Sequence, residues 1–159
     1  MLTIFVPTGS ALKKVDCADL GSLPESAAWV DMVNPTPEED RAVEHLLRIA
    51  VPTREEMQEI EISSRLYVEN GARYMTAILM CGSETDAPRT TPVTFIMSDR
   101  RLVTVRYDTP RPFAAVEHKL QRTAPPEVNG EGIMLELLEA VIDRCADILE
   151  RAGGDVDAV

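Results

Sequence analysis

The stretch RLYVENGARYMTAILM, residues 65–80, decides the fold of this chain. Two runs of strand-forming residues, 65–69 and 73–80, flank the dipeptide Asn70-Gly71. Asn-Gly between such runs is the strongest short-range signal for a two-residue β-hairpin turn, because both residues tolerate a positive φ. The stretch therefore predicts an antiparallel hairpin.

A second hairpin is predicted directly downstream. Residues 93–97 and 102–107 are again rich in β-branched residues and are separated by a turn around Asp99-Arg100. Trp29, the only tryptophan, lies in a further predicted strand, and we expect its ring to be packed in the core. Shorter strands are predicted upstream, at residues 2–6, 12–15 and 28–33.

A strong helix start stands before the first hairpin. Thr36 can cap the helix, Pro37 suits its first position, and Glu39 completes a capping box three residues after Thr36. Apolar residues then recur at helical spacing, so the helix should run to about Ile49.

Thr53 and Glu56 repeat the capping-box spacing and predict a short acidic helix from Arg54 to about Ile62. Four carboxylates fall within seven residues of it: Glu55, Glu56, Glu59 and Glu61. Like charges this close repel each other, and a divalent cation would relieve the repulsion. Mg²⁺ takes oxygen ligands and keeps several waters, so one or two carboxylates suffice. The alternative from the residues alone is a solvated helix face.

Two more helices complete the predicted layout, at residues 111–122 and 133–152. Gly153-Gly154 could end the last helix or interrupt a longer one. Strands placed between flanking helices predict one domain over residues 1–159, with a helix-sheet-helix layering. The fold class is α/β (α+β), with a mixed, largely antiparallel central sheet.

The charge composition weighs against some classes of binding partner. The 16 basic and 27 acidic residues give a net charge of −11, which weighs against nucleic acid or an anionic membrane surface as the main partner. No apolar run approaches the roughly 20 residues of a membrane span, and the N-terminus lacks the basic region of a signal peptide.

The chain has an odd number of cysteines: Cys17, Cys81 and Cys145. They predict reduced, mostly buried thiols in a cytosolic setting.

Enzyme signatures are missing from the sequence. It contains no P-loop, G-x-G-x-x-G, G-x-S-x-G or H-E-x-x-H motif. His45 and His118 lie on predicted helices among charged neighbours, where surface positions are expected. We therefore do not expect an enzyme.

The ordered set of segments resembles the cytoplasmic N-terminal domain of the CorA family of magnesium/cobalt transporters. The likeness covers nearly the whole chain and is closer to the CorA branch of Gram-negative bacteria, while the zinc-transporting, ZntB-like branch shares the architecture. The segments that carry it are WVDMVNP (29–35), TREEMQEIE (53–61), SSRLY (63–67), VTFI (93–96) with RLVTVR (101–106), and LELLEAVID (135–143).

The resemblance implies the regulatory domain of a homopentameric divalent-cation channel at the cytoplasmic face of the bacterial inner membrane. The helix at 133–152 would lead toward a stalk, and the family's membrane helices and Gly-Met-Asn pore signature are not present in this sequence. In the family, regulatory Mg²⁺ binds between protomers and closes the pentamer; Glu55 and Glu56 match the acidic half of that site. Mg²⁺, and also Co²⁺, are the implied cations.

Three further expectations follow from this resemblance. The chain is a fragment, its isolated form is soluble and monomeric or weakly dimeric, and its half-site binds Mg²⁺ only at about millimolar concentration or more weakly. The rival hypothesis, from another class, is a free-standing soluble domain that binds a partner or a small ligand.

Overall fold

One mixed sheet runs through the computed structural model, which describes residues 1–16, 20–124 and 128–159. Its strands, in chain order, are β1 (Leu2–Thr8), β2 (Ala11–Asp16), β3 (Trp29–Val33), β4 (Leu66–Glu69), β5 (Ala72–Cys81), β6 (Arg89–Ser98) and β7 (Arg101–Arg106). They lie side by side in the order β2-β1-β3-β7-β6-β5-β4. Within the described residues, β3 and β7 pair in parallel and every other neighbouring pair is antiparallel. The predicted mixed, largely antiparallel sheet is confirmed.

Both predicted hairpin turns form. Asn70 and Gly71 have φ angles of 49° and 81°, so the β4–β5 turn takes the positive-φ conformation that favours Asn-Gly. Asp99 has a φ of 51° in the turn between β6 and β7. These two turns set the registers Tyr67↔Tyr74 and Ile96↔Val103.

Helices cover both faces of the sheet. They are α1 (Pro37–Leu47), α2 (Arg54–Met57), α3 (Ile62–Arg65), α4 (Arg111–Arg122) and α5 (Gly130–Asp157). On one face, Phe113 of α4 and Ile133 of α5 pack with Trp29 and Phe95 of the sheet. On the other, Val43 of α1 and Met57 of α2 pack with Val30, Tyr74 and Val103. The predicted helix-sheet-helix layering is therefore confirmed.

Three polar side chains and one tryptophan form a buried network on the α4 face of the sheet. Trp29 is 1% exposed, as predicted, and its indole N–H donates to Thr104 Oγ1 at 2.9 Å. The Thr104 hydroxyl donates to Asp31 Oδ1 at 2.7 Å. Arg106 donates to both carboxylate oxygens of Asp31, at 3.1 and 2.8 Å, and its guanidinium lies 4.5 Å from the centre of the Phe113 ring. A charge pair this well enclosed is stable only because its polar atoms are hydrogen-bonded.

The acidic helix is shorter than predicted. It ends at Met57 instead of continuing to about Ile62. Beyond Met57, the N–H groups of Gln58 and Glu59 bond back three residues, to the carbonyls of Glu55 and Glu56 at 3.1 and 3.2 Å, which tightens the last turn. Met57 is buried whereas Ile60 is exposed, so no core contact holds a further turn in place.

Strand β6 begins earlier than predicted. The predicted strand covered residues 93–97, but β6 already starts at Arg89 and includes Pro92. Pairing with β7 begins only at Val93, so residues 89–92 have β5 alone as a neighbour. A proline is tolerated where a strand is at an edge, because the missing N–H breaks no second ladder.

Helix α5 is longer than the predicted 133–152. It starts at Gly130, where Asn129 caps it by accepting from the N–H of Gly132 at 2.9 Å, and it runs through Gly153 and Gly154. The early start requires glycine, because a Cβ on Gly130 would lie 2.4 Å from the backbone nitrogen of Leu102.

Cys81 is a buried free thiol, as expected, whereas Cys145 is free and exposed on α5, so the expectation of burial is wrong there. Cys17 lies outside the described residues. None of the helices in the described part of the chain is long and apolar enough to cross a membrane.

Candidate functional site

The acidic segment, residues 53–65, is held against the sheet at its start. The Tyr74 hydroxyl on β5 donates to the Ala50 carbonyl at 3.0 Å and accepts from the Ala50 N–H at 2.9 Å. The next N–H, of Val51, donates to Glu44 Oε1 on α1 at 3.0 Å. Hydrogen bonds therefore fix the backbone just before the segment, and the buried Met57 side chain anchors the segment in the core.

The Glu56 side chain is exposed, and it also takes part in capping the short helix α2. Its Oε2 accepts from the Thr53 N–H at 2.8 Å and from the Thr53 hydroxyl at 3.0 Å. In return, the Glu56 N–H donates to Thr53 Oγ1 at 3.2 Å, so the predicted capping box is formed. One carboxylate oxygen of Glu56 is therefore engaged in the helix cap.

Glu55 is exposed, and it has no side-chain hydrogen bond or ion pair within the part of the chain that the structure describes. It lies on the side of Tyr107. Burial raises the pKa of the Tyr107 phenol, and the negative charges of Asp40 and Glu55 raise it further. The Arg54 guanidinium lies 5.4 Å from the centre of the Tyr107 ring.

Glu56 lies on a different side, at an open cavity of about 390 Å³ that Glu59, Ser63, Ser64 and Tyr67 also line. Tyr67 is stacked on Tyr74 with ring centres 4.6 Å apart. Burial raises the pKa of Tyr67, and the neighbouring Tyr74, Glu69 and Glu56 raise it further. The cavity is therefore lined by protonated hydroxyls and carboxylates, oxygen groups that suit a hydrated hard cation.

The two predicted ligands consequently diverge. Adjacent helix positions do not face each other, and Glu55 and Glu56 have different neighbours. Glu56 shares its cavity with Glu59 instead. Among residues 1–16, 20–124 and 128–159, no three His, Cys, Asp or Glu side chains lie close enough together to hold a metal ion. The role of Glu55 and Glu56 as ligands stays a prediction.

An exposed apolar edge adjoins the acidic segment, and sequence reasoning missed it. Ile60, Ile62, Leu66 and Val68 are 63% to 83% exposed, and the last two belong to β4, the edge strand of the sheet. We call these four residues the apolar edge. The sequence did contain a signal for this surface: two isoleucines, Ile60 and Ile62, lie in a segment that is too short to bury both side chains. Contiguous exposed apolar residues on an edge strand are typical of a protein interface.

Comparison with known proteins identifies the family. A family model described as CorA-like Mg²⁺ transporter protein matches residues 24–158. The chain belongs to this family. The Magnesium transport protein CorA of Mannheimia succiniciproducens is 26% identical over 157 residues, which cover 99% of this chain and 49% of that protein. The CorA protein of Campylobacter jejuni strain RM1221 is 27% identical over 160 residues, with 94% and 49% covered.

Solved structures support the same fold. The CorA magnesium transporter from Methanocaldococcus jannaschii matches with a TM-score of 0.72 at 16% identity, covering 99% of this chain and 49% of that one. The structure of its soluble domain matches with a TM-score of 0.71 at 18% identity, covering 99% and 62%. The chain thus has the fold of the CorA soluble domain and spans about half the length of the curated relatives it matches.

Both histidines are exposed on helices, as expected: His45 on α1 and His118 on α4. Neither residue belongs to the acidic segment, and neither is part of a cluster of ligands among the described residues.

Proposed function

We propose that this chain is the cytoplasmic regulatory domain of a homopentameric divalent-cation channel, which closes when Mg²⁺ occupies sites between neighbouring subunits. Family membership and the relatives named as magnesium transport proteins support the general function. The exposed carboxylates are hard oxygen ligands of the kind that Mg²⁺ takes, whereas the zinc of the ZntB-like alternative prefers nitrogen and sulfur ligands. Co²⁺ is the second cation that the family resemblance implies.

The observation that carries the proposal is the position of the acidic segment beside the apolar edge. Ile60 and Ile62 lie within the same segment as Glu55 and Glu56, and all four side chains are exposed. A neighbouring subunit that covers the apolar edge would bring its own surface to these carboxylates. An ion site that is incomplete in one chain would then be completed at the interface.

Charge neutralisation supplies the proposed mechanism. Two carboxylates about 4 Å apart repel by roughly 4 kcal/mol at an effective dielectric of 20. Without a cation, acids brought together at an interface push the subunits apart. A bound Mg²⁺ reverses the sign of the interaction and favours the closed ring, since it binds the closed state better than the open one.

Glu55 and Glu56 would contribute differently. Glu55 has both carboxylate oxygens free to bind the ion or its water shell. Glu56 uses Oε2 in the capping box, which leaves Oε1 and the shared cavity with Glu59. Because Mg²⁺ sheds water reluctantly, we expect contacts partly through water and weak binding by the isolated chain.

A Mg²⁺ titration of the 159-residue chain, followed by amide chemical shifts, tests the half-site. We expect shifts concentrated in residues 53–67, with a dissociation constant of about 1 mM or weaker. Glu55→Gln combined with Glu56→Gln should abolish them without unfolding the helix, because glutamine at the third helical position also forms a capping box.

The matched control is Glu25→Gln combined with Glu38→Gln, which makes the same charge change at two exposed acids outside the segment. The control should leave the shifts in place. Equal shifts in the Glu55→Gln, Glu56→Gln protein would contradict the proposed ligands.

A further inference from the structure

The turn that joins β5 to β6 lies beside helix α5, and we call its residues, 82–88, the strap. Its backbone is fixed internally: the Thr85 N–H and hydroxyl both donate to the Gly82 carbonyl, at 2.9 and 2.8 Å, and the Ala87 N–H donates to Thr85 Oγ1 at 3.3 Å. Gly82 has a φ of 66°, a conformation that favours glycine. The strap therefore has a defined shape from which its side chains contact the helices.

Glu84 joins the strap to two helices. Its Oε1 accepts from Arg111 Nη1, at the start of α4, at 2.7 Å and forms an ion pair with Arg144 in α5. Ser83 adds a contact, because its Oγ accepts from Arg144 Nη2 at 2.5 Å. The side chains of Arg144 and Glu84 are 15% and 34% exposed. Since partly buried pairs are screened less than exposed ones, we expect this pair to be stronger than an ordinary surface ion pair.

The strap is the main contact of the second half of α5 with the domain. In the first half, Ile133 and Leu137 are fully buried in the core. Of residues 142–159, all of which the structure describes, only Arg144 and Ile148 are half-buried, and the others are exposed. Arg144 is the residue that the strap binds, so the position of the second half depends on that contact.

The apolar contact at Ile148 is loose. Ile148 lines an open cavity of about 260 Å³ together with Met80, just before the strap, and Pro88, its last residue. Beyond Arg144 the helix continues to Asp157, and unpacked helical segments shorter than about 12–15 residues are marginal in water. Like charges weaken it further, because α5 has eight acidic and two basic side chains. Without the strap, the second half should therefore lose much of its helical structure.

We propose that the strap controls the second half of α5: the half is held beside the β5–β6 hairpin while Glu84 is paired, and it is released when that pair is broken. Loss of the Glu84 charge would also leave the guanidinium groups of Arg111 and Arg144 beside each other, and their repulsion favours release. The first half stays packed in both states, since its buried residues belong to the core. The strap thus couples the end of the β5–β6 hairpin to α5, independently of the proposed Mg²⁺ sites.

Amide hydrogen exchange of the 159-residue chain, followed by NMR, tests the strap. Glu84→Gln removes one charge from a residue outside α5 and leaves the sequence of the helix unchanged. We expect the amides of residues 142–152 to exchange at least about tenfold faster in this variant, because the released helix opens more often. The amides of residues 130–141 should keep their rates within about twofold.

Asp86→Asn is the matched control, because it removes one carboxylate from the same strap. Asp86 is exposed and has no side-chain hydrogen bond or ion pair in the described part of the chain, so its loss should leave the exchange rates unchanged. A second comparison uses the Arg144→Gln protein. There, Glu84→Gln should change the rates of residues 142–152 by less than about twofold, since its partner in α5 is already lost.

Unchanged exchange of residues 142–152 in the Glu84→Gln protein would overturn the proposal, and so would a lack of protection of these amides in the unchanged protein. Faster exchange along the whole of α5 would also overturn it, because it would show a general loss of stability. An equal effect of Asp86→Asn, or a Glu84→Gln effect that persists in the Arg144→Gln protein, would show that the contact with Arg144 is not the cause.

Discussion

The carboxylate of Asp31 and the carboxylates of Glu55 and Glu56 have opposite surroundings in this molecule. Asp31 is buried, and Arg106 and Thr104 satisfy both of its oxygens. Glu55 is exposed without a side-chain partner in the described residues, and Glu56 commits one oxygen to a helix cap. The same functional group is thus enclosed by the fold in one place and left open in the other.

The difference separates a carboxylate that stabilises the fold from carboxylates that are available to an external ligand. A buried carboxylate must find its partners within the domain, because an unpaired charge there costs several kcal/mol. An exposed acidic segment has no such requirement and is free to take a partner from outside. The comparison predicts large stability effects at Asp31 and Arg106, and small stability effects with a functional consequence at Glu55 and Glu56.

Arg106→Met should give the largest effect. It leaves the Asp31 carboxylate buried opposite an apolar side chain, so we expect a loss of about 3–5 kcal/mol in the free energy of unfolding. Urea denaturation measures it. Asp31→Leu combined with Arg106→Met removes both charges and should recover part of the loss. A single-variant loss under about 1 kcal/mol would show that the pair is not enclosed as described.

Trp29→Phe should lower the free energy of unfolding by less than Arg106→Met does, by about 1–3 kcal/mol. It removes the hydrogen bond to Thr104 and leaves a small void beside Phe5, whose ring centre is 4.4 Å from that of Trp29. The unchanged protein should show blue-shifted tryptophan emission that moves red on unfolding. Water-like emission from the native protein would contradict the buried position.

A smaller effect on stability is expected at two aspartates, Asp108 and Asp40, because folding shifts their pKa values in opposite directions. Hydrogen bonds from Arg89 lower the pKa of Asp108 against the effect of burial. Burial, followed by the charges of Glu44 and Glu39, raises the pKa of Asp40. The Asp108 carboxylate therefore stabilises the fold above its unfolded pKa of about 3.9, and that stability is lost as the pH falls through the folded value.

Asp40 has the opposite sign, because its raised pKa means that the fold disfavours the charged form: the destabilisation grows as the pH rises above the unfolded pKa of about 3.9 and is complete above the folded pKa. At pH 7, we expect Asp108→Asn to lower the urea midpoint and Asp40→Asn to raise it. Both differences should shrink as the pH falls below about 3.9, where the unfolded carboxylates become protonated, and the Asp108 difference is lost fully only once the pH has passed through its lowered folded pKa. Midpoint changes that are equal at pH 7 and pH 3 would exclude titration as their cause.

Much of the fold was predictable because local signals agreed with it. Asn70-Gly71 fixed one hairpin, and the capping boxes of Thr36 and Thr53 fixed two helix starts. The end of α2 and the start of β6 were not predictable, since they depend on tertiary contacts. Met57 finds a core contact while Ile60 does not, and Pro92 lies where β7 no longer pairs with β6.

The candidate site was predictable in part. Glu55 and Glu56 belong to an exposed acidic segment, as their spacing indicated. Sequence spacing did not show that they diverge, because that depends on where Tyr67 and Tyr107 pack beside a one-turn helix. The apolar edge was missed for a related reason: an isoleucine in the sequence does not reveal whether the sheet covers it.

The smallest stability effect is expected for Glu55→Gln with Glu56→Gln. Both side chains are exposed, and glutamine keeps the cap, so the free energy of unfolding should change by less than about 0.5 kcal/mol. Urea denaturation checks this. A larger loss would give the acidic segment a structural role like that of Asp31.

Recordings of ion current through a full-length channel that carries this domain test the central claim most directly. We predict that Glu55→Gln with Glu56→Gln makes the current respond less steeply to cytoplasmic Mg²⁺, because the ligands for the closing ion are lost. Glu25→Gln with Glu38→Gln should leave the response unchanged. A Mg²⁺ inhibition curve that is the same with and without the Glu55 and Glu56 carboxylates would contradict the account and leave the acidic segment as a solvated surface.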